Sequence, residues 1–127
     1  MHIIMRALLR GKIHRAVVTQ ADRDYVGSIT IDKELLDEAD IWAGEKVLIS
    51  DVDNGARFET YAVEGTPGSG IVCVNGAAAL LVQPGDRIIV MAFEITDRPI
   101  EPRIVLVDDK NRKVKTLRAP GPGDVSE

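Results

Sequence analysis

KVLISD at Lys46–Asp51 and RFETYAV at 57–63 stand on either side of Asn54-Gly55. Both runs are rich in β-branched and aromatic residues, and Asn-Gly is the strongest short hairpin signal, because both residues tolerate the positive φ of a tight primed turn. Two antiparallel strands are predicted here. The same grammar recurs in both directions along the chain. Upstream, 12–19 and 28–31 read as strands. Downstream, 71–74 leads into a second Asn-Gly at Asn75-Gly76, and Pro84-Gly85-Asp86 turns the chain into the long apolar strand 87–95. A last hairpin is expected from 103–107, a polar turn at 108–111, and 114–117.

One helix is predicted between these runs. Asp32 is a good N-cap, Glu34 adds negative charge to the first turn, and Leu35, Leu36, Ala39 and Ile41 form an apolar stripe that Gly44 would end. Residues 77–81 suit a single helical turn. The tail 119–127, with Pro-Gly twice in 120–123, is expected to be disordered. Many short strands with close-set turns predict one mainly β domain over 1–127: a small, closed or nearly closed barrel with one or two short helices. Periodicity leaves the barrel type open.

Composition narrows the function classes. The 127 residues are 45% hydrophobic and 28% charged, the profile of one globular domain. Sixteen basic against twenty acidic residues give a net charge of -4, which argues against a nucleic-acid partner held through phosphates. The basic run Lys110, Arg112, Lys113, Lys115 and Arg118 is the one local support for such a partner. With Asp108 and Asp109 beside it, it reads better as a solvated hairpin. Cys73 is the only cysteine, so no internal disulfide forms, and its apolar setting marks it as a small buried hydrophobe. Arg6 and Arg10 interrupt the apolar N-terminus, so neither a signal peptide nor a membrane span is expected. A cytoplasmic protein is the reading.

Gly27-Ser28 could be an ordinary turn entering a strand, and Gly68-Ser69 repeats the dipeptide inside a Pro-Gly-Ser-Gly turn. Context separates them. Gly11-Lys12-Ile13-His14-Arg15-Ala16, followed by Tyr25-Val26-Gly27-Ser28-Ile29-Thr30-Ile31-Asp32, resembles the opening of the pyruvoyl-dependent aspartate 1-decarboxylases. The likeness continues through Asn54-Gly55-Ala56-Arg57-Phe58 with Thr60-Tyr61-Ala62, then Val74-Asn75-Gly76-Ala77-Ala78-Ala79, and Pro84-Gly85-Asp86. Leu80 departs from the polar residue that the resemblance implies at its position.

The resemblance implies a six-stranded double-psi β-barrel and a homotetramer with active sites at subunit interfaces. It also implies self-cleavage at Gly27-Ser28 into 1–27 (the β chain) and 28–127 (the α chain), leaving a pyruvoyl group made from Ser28. The implied activity is decarboxylation of L-aspartate to β-alanine through a Schiff base, feeding pantothenate and coenzyme A synthesis, with no metal and no pyridoxal phosphate. Whether a maturation factor assists the cut stays open.

Each residue type suits its implied role. Ser28 attacks the Gly27 carbonyl, and Gly27, lacking a Cβ, can enter backbone regions that a bent scissile peptide needs. Arg57 grips a carboxylate bidentately and Lys12 supplies a second cation for aspartate's second carboxylate. Tyr61 is the implied proton donor. Thr60 and Asn75 are expected to orient the Gly27 carbonyl and its oxyanion. Asn75, Gly76, Ala77 and Ala78 border the substrate, and His14, on the Lys12 face by period two, and Tyr25 line the site. In a regular strand Arg57 and Tyr61 share a face that Thr60 does not, so a bulge or strand end is expected near them. An unprocessed barrel acting as a scaffold is the remaining alternative.

Overall fold

In the computed structural model, which describes residues 3–118, alternating apolar residues build nine strands. They are β1 (Arg6–Val17), β2 (Gln20–Asp22), β3 (Ser28–Asp32), β4 (Lys46–Asp51), β5 (Arg57–Gly65), β6 (Val72–Asn75), β7 (Arg87–Thr96), β8 (Arg103–Val107) and β9 (Lys113–Leu117). The helix α1 (Lys33–Ala39) follows β3, and a 3-10 segment (Gly76–Leu81) follows β6. The expected tail, 119–127, lies outside the described residues.

The strands hydrogen-bond in the order β2-β6-β3-β5-β4-β7-β1-β8-β9. Only Val18 and Thr19 separate β1 from β2. The Val18 N–H donates to Asp86 O (2.9 Å) and the Thr19 N–H to Val72 O (2.8 Å), so the chain passes from one neighbour, β7, to the other, β6. Counted as one bent strand, β1 and β2 close a ring of six with β6, β3, β5, β4 and β7, leaving the β8–β9 hairpin outside. The open edge that remains is β9, at the end of the outlying hairpin. Within the ring β2–β6 and β3–β5 run parallel and the other pairs antiparallel. The strand expected over 12–19 is thus longer at its start and bent near its end, where the register with β7 shifts between Ile13 and Ala16 and Arg15 has φ 65°.

Ile13, Ile29, Ile31, Val47, Ile49, Val72, Val74, Ile88 and Val90 fill the barrel, all fully buried. Each such side chain contributes about 1.5–3 kcal/mol of hydrophobic stabilisation. Leu35, Leu36 and Ala39 of α1 join that core. Asp32 caps α1 as expected, accepting from the Glu34 N–H (2.9 Å). The helix ends earlier than Gly44: Asp40 turns left-handed (φ 58°) and Ile41 N–H returns to Leu36 O (2.9 Å). That closure satisfies carbonyls of the last turn and folds Ile41 into the core from beyond the helix.

A hairpin joins β4 to β5 as predicted, but not through a tight primed turn: residues 52–56 intervene, and of these only Gly55 is left-handed (φ 78°). The β4–β5 register runs unbroken from Lys46 opposite Tyr61 to Ser50 opposite Arg57. In the basic hairpin, the Asp108 carboxylate accepts from the backbone N–H groups of Lys110 and Arg112, and Lys113 pairs with Glu38 (3.5 Å). Among the described residues no helix is long and apolar enough to cross a membrane.

Candidate active site

β3 lies between β5 and β6, and its alternation gives the site its direction. Ile29 and Ile31 point into the barrel, so Ser28 and Thr30 point outward. Ser28 pairs with Asn75 on β6, while the parallel ladder to β5 begins one residue later, at Ile29 opposite Ala62. Tyr61 therefore stands level with Ser28 on the same outward face, and Thr60 level with Gly27.

Ser28 is nevertheless 2% exposed, and Asn75 4%. The Asn75 amide is the hub of the cluster. Its Nδ2 donates to Ser28 Oγ (3.0 Å) and to Thr30 Oγ1 (3.1 Å), and its Oδ1 accepts from the Cys73 thiol (3.1 Å). Ser28 Oγ donates in turn to Val26 O (3.3 Å), back across Gly27. Burial, and secondarily the Asp22 charge, pushes the Cys73 thiol's pKa up, so it keeps its proton.

Asn75-Gly76 does not make a hairpin, unlike Asn54-Gly55. Gly76 (φ 80°) instead opens the 3-10 segment, and a Cβ on it would lie 2.6 Å from Gly27 Cα and 3.5 Å from Tyr25 O. Only a glycine lets residues 25–27 lie this close. Gly27 itself is not in the left-handed region, and a Cβ there would meet nothing within 4 Å. The special backbone expected at Gly27 is found at Gly76 instead.

The regular β5 register overturns the expected bulge. Arg57, Glu59 and Tyr61 share the exposed face, Tyr61 at 40% exposure, while Phe58, Thr60 and Ala62 turn inward. Lys12 and His14 are half-buried on β1. Pairing runs from Glu59 through Leu48 and Met91 to Lys12, which puts β4 and β7 between Lys12 and β5, about 14 Å at the usual strand spacing. Among the described residues no hydrogen bond or ion pair ties Lys12, Arg57 or Tyr61 to Ser28. Ala77 is exposed and Ala78 partly buried on the 3-10 segment, and Leu80 beside them is 69% exposed. Tyr25, two residues before Gly27, is exposed.

Two members of the cluster escaped the sequence reading. Cys73 is buried as expected, but as a donor rather than only a hydrophobe, and Thr30 had no assigned role. Their common signal was positional: small polar groups at the outward positions of two apolar strands. Elsewhere Asp51, Asp53 and Asp86 bring carboxylate oxygens within 4.8 Å of one another. Each also accepts a backbone N–H (from Asp53, Arg87 and Gln83 respectively), so the three close adjoining turns.

The family model described as aspartate decarboxylase matches residues 4–114. An aspartate 1-decarboxylase of Moorella thermoacetica is 49% identical over 124 residues, covering 94% of this chain and 97% of that one. One from Acetivibrio thermocellus is 54% identical over 109 residues, covering 83% of this chain and 86% of its own. Among solved structures, the rationally designed mkDPBB_sym_86 protein aligns with a TM-score of 0.48 at 21% identity, over 64% of this chain and 95% of that chain. By the family match and both relatives, the chain belongs to the aspartate decarboxylase family.

Proposed function

We propose that this chain is the precursor of an enzyme that cuts itself between Gly27 and Ser28 and then decarboxylates L-aspartate to β-alanine, a precursor of pantothenate and coenzyme A. The observation that carries this reading is the Ser28 hydroxyl, buried at the start of β3 and held by an amide from β6. A serine fitted only for a turn has no need of such a partner. On the Cβ side of Gly27 there is room as well, since an added atom there would meet nothing within 4 Å.

A pyruvoyl group supplies an electrophilic carbonyl and a sink for the electrons released as carbon dioxide leaves. The chain's own residues do the rest. Arg57 forks onto one substrate carboxylate and Lys12 holds the other, which selects aspartate over a neutral amino acid. Tyr61 Oη, level with Ser28, delivers the proton to the carbon that loses carbon dioxide. Thr60, level with Gly27, orients the Gly27 carbonyl. Ala77 and Ala78 leave room for substrate, with Tyr25 and His14 at the rim. Because β4 and β7 separate Lys12 from β5, a homotetramer that brings a neighbour's residues to each Ser28 is the assembly that completes the site. The single buried thiol suits a reducing cytoplasm.

Intact-mass spectrometry with an aspartate assay tests this directly. Two chains, 1–27 and 28–127, are expected, the second blocked and lighter by one ammonia than a serine-started chain, together with β-alanine formation. One uncut chain after prolonged incubation, or a break at Gly68-Ser69, overturns the reading. Arg57→Ala should be cut normally yet need far more aspartate for half-saturation, and unchanged kinetics would remove Arg57 from the substrate site.

A further inference from the structure

We propose that Cys73 and Thr30 are positioning residues that fix which way the Asn75 amide faces, so that its Nδ2–H stays on Ser28 Oγ during self-cleavage. This rests on Gly27-Ser28 being the scissile bond. An amide turned over by half a rotation keeps nearly the same outline, so packing alone does not select its orientation; hydrogen-bond partners do. Here the thiol selects: it donates to the amide oxygen, and each hydroxyl, able to donate or accept, takes an amide N–H that remains. The thiol donates to Oδ1 at 3.1 Å, and the two N–H bonds of Nδ2 go to Ser28 Oγ at 3.0 Å and Thr30 Oγ1 at 3.1 Å. Turned over, Nδ2 would face sulfur, a weak acceptor, and Ser28 would have to swing its hydroxyl away from Val26 O. The raised thiol pKa keeps Cys73 a donor at neutral pH.

The orientation matters at one step of the cut. First, Ser28 Oγ attacks the Gly27 carbonyl carbon, the bond from that carbon to the Ser28 nitrogen breaks, and the hydroxyl proton ends on the freed amine. The product is an ester through Oγ. Next, the Ser28 Cα proton passes to solvent, a Cα–Cβ double bond forms, and the Cβ–Oγ bond breaks with its electron pair leaving on Oγ. That oxygen becomes part of the new Gly27 carboxylate. Water then displaces the nitrogen of the dehydroalanine as ammonia. Negative charge grows on Oγ in the elimination, and an N–H aimed at it stabilises that transition state more than the neutral ester. An amide oxygen in the same place would oppose it.

Four proteins separate orientation from mere packing: wild type, Cys73→Ala, Cys73→Ser and Thr30→Val. Each is followed by intact mass with and without hydroxylamine, which opens esters but not amides. Cys73→Ala and Thr30→Val should be cut about tenfold more slowly and accumulate hydroxylamine-sensitive ester. Cys73→Ser restores a donor and should be cut at the wild-type rate without ester. If Cys73→Ala matches wild type and shows no ester, or if Cys73→Ser is as slow as Cys73→Ala, the proposal is wrong. Thr30 is only partly buried, so Thr30→Val keeps the test open if the Cys73 variants misfold. A wild type that stays uncut overturns the scissile-bond reading as well, whereas a cut wild type with an unaffected Cys73→Ala overturns the positioning role alone.

Discussion

Ser69 uses its hydroxyl on its own turn: Oγ donates to Thr66 O (2.6 Å) and accepts from the Ile71 N–H (3.2 Å) at an exposed position. Ser28, after the same glycine, is buried, and its Oγ accepts from Asn75, 47 residues away. The dipeptide is identical, so the strand neighbour, not the residue pair, sets what the hydroxyl can do. The Ser69 hydroxyl finds both partners within its own turn. The Ser28 hydroxyl also donates to Val26 O, but its second partner is an amide on a rigid barrel strand, which fixes its position from outside the turn. Exchanging the two serines for alanine should therefore give opposite results. Ser28→Ala is expected to fold and never be cut, since the attacking oxygen is gone. Ser69→Ala is expected to be cut at the wild-type rate and to lose about 1 kcal/mol of stability with its turn. Intact mass and thermal melting read both, and cleavage of Ser28→Ala at the same bond would break the contrast.

The glycines sharpen the comparison next. Gly68 (φ 78°) is left-handed, and a Cβ there would meet only the flexible Glu34 carboxylate, at 3.2 Å. The glycine that matters in the other region is Gly76, whose added Cβ would strike Gly27 backbone at 2.6 Å. Both alanine variants lose about 1 kcal/mol for the positive φ. Only Gly76→Ala must displace residues 25–27, and a shift of that kind is expected to lower the cutting rate by about a hundredfold. Equal cutting rates in Gly68→Ala and Gly76→Ala would show that the close approach at Gly27 has no part in the reaction.

The two regions were not equally legible in the sequence. The β4–β5 hairpin, β8 and the cap at Asp32 could be read because their signals are local: alternation, Asn-Gly, an acidic residue before an apolar stripe. The early helix end was not, because Asp40 takes a left-handed conformation that is uncommon outside glycine and that Gly44 was better placed to suggest. At the site, Ser28, Asn75, Arg57 and Tyr61 were chosen through a family resemblance, not from any one strand's pattern. Thr30 and Cys73 were missed because their roles exist only in the register between β3 and β6. Each strand taken alone shows a small residue between isoleucines or valines, which reads equally well as filler.

Asp32 links the two regions and gives the third test. It closes β3, four residues after Ser28, and its carboxylate accepts from the N–H groups of Glu34 (2.9 Å), Gly68 (3.0 Å) and Gly70 (2.8 Å). Asp32→Ala removes the cap of α1 and leaves the buried Gly70 N–H without its acceptor, a loss of about 3 kcal/mol. The damage falls on the helix and the Ser69 turn, so cutting at Ser28 should continue at a temperature where the variant is still folded. Abolished cutting in folded Asp32→Ala would mean that the site depends on the helix end of β3 and not only on its pairing with β6.

The smallest effect belongs to a carboxyl outside both regions, Asp51 at the end of β4. Burial, and then the facing Asp86 carboxyl, pushes its pKa up to about 6, with the backbone N–H groups of Asp53 and Asn54 pulling the other way. A folded pKa above the unfolded value of about 3.9 means that the folded state binds more protons between those limits. Stability is then greatest with Asp51 protonated, falls as pH rises from about 4 to about 6, and stays lower above that. Asp51→Asn keeps an acceptor for the Asp53 N–H and gives Asp86 a donor. It should raise the melting temperature at pH 7.5 by the equivalent of about 1 kcal/mol and have no benefit at pH 4. Ser28→Ala and Ser69→Ala proteins should carry the same pH slope, because neither touches this carboxyl. A slope that vanished in Ser28→Ala alone would couple Ser28 to the β4 turn, across a barrel in which β5 stands between β3 and β4.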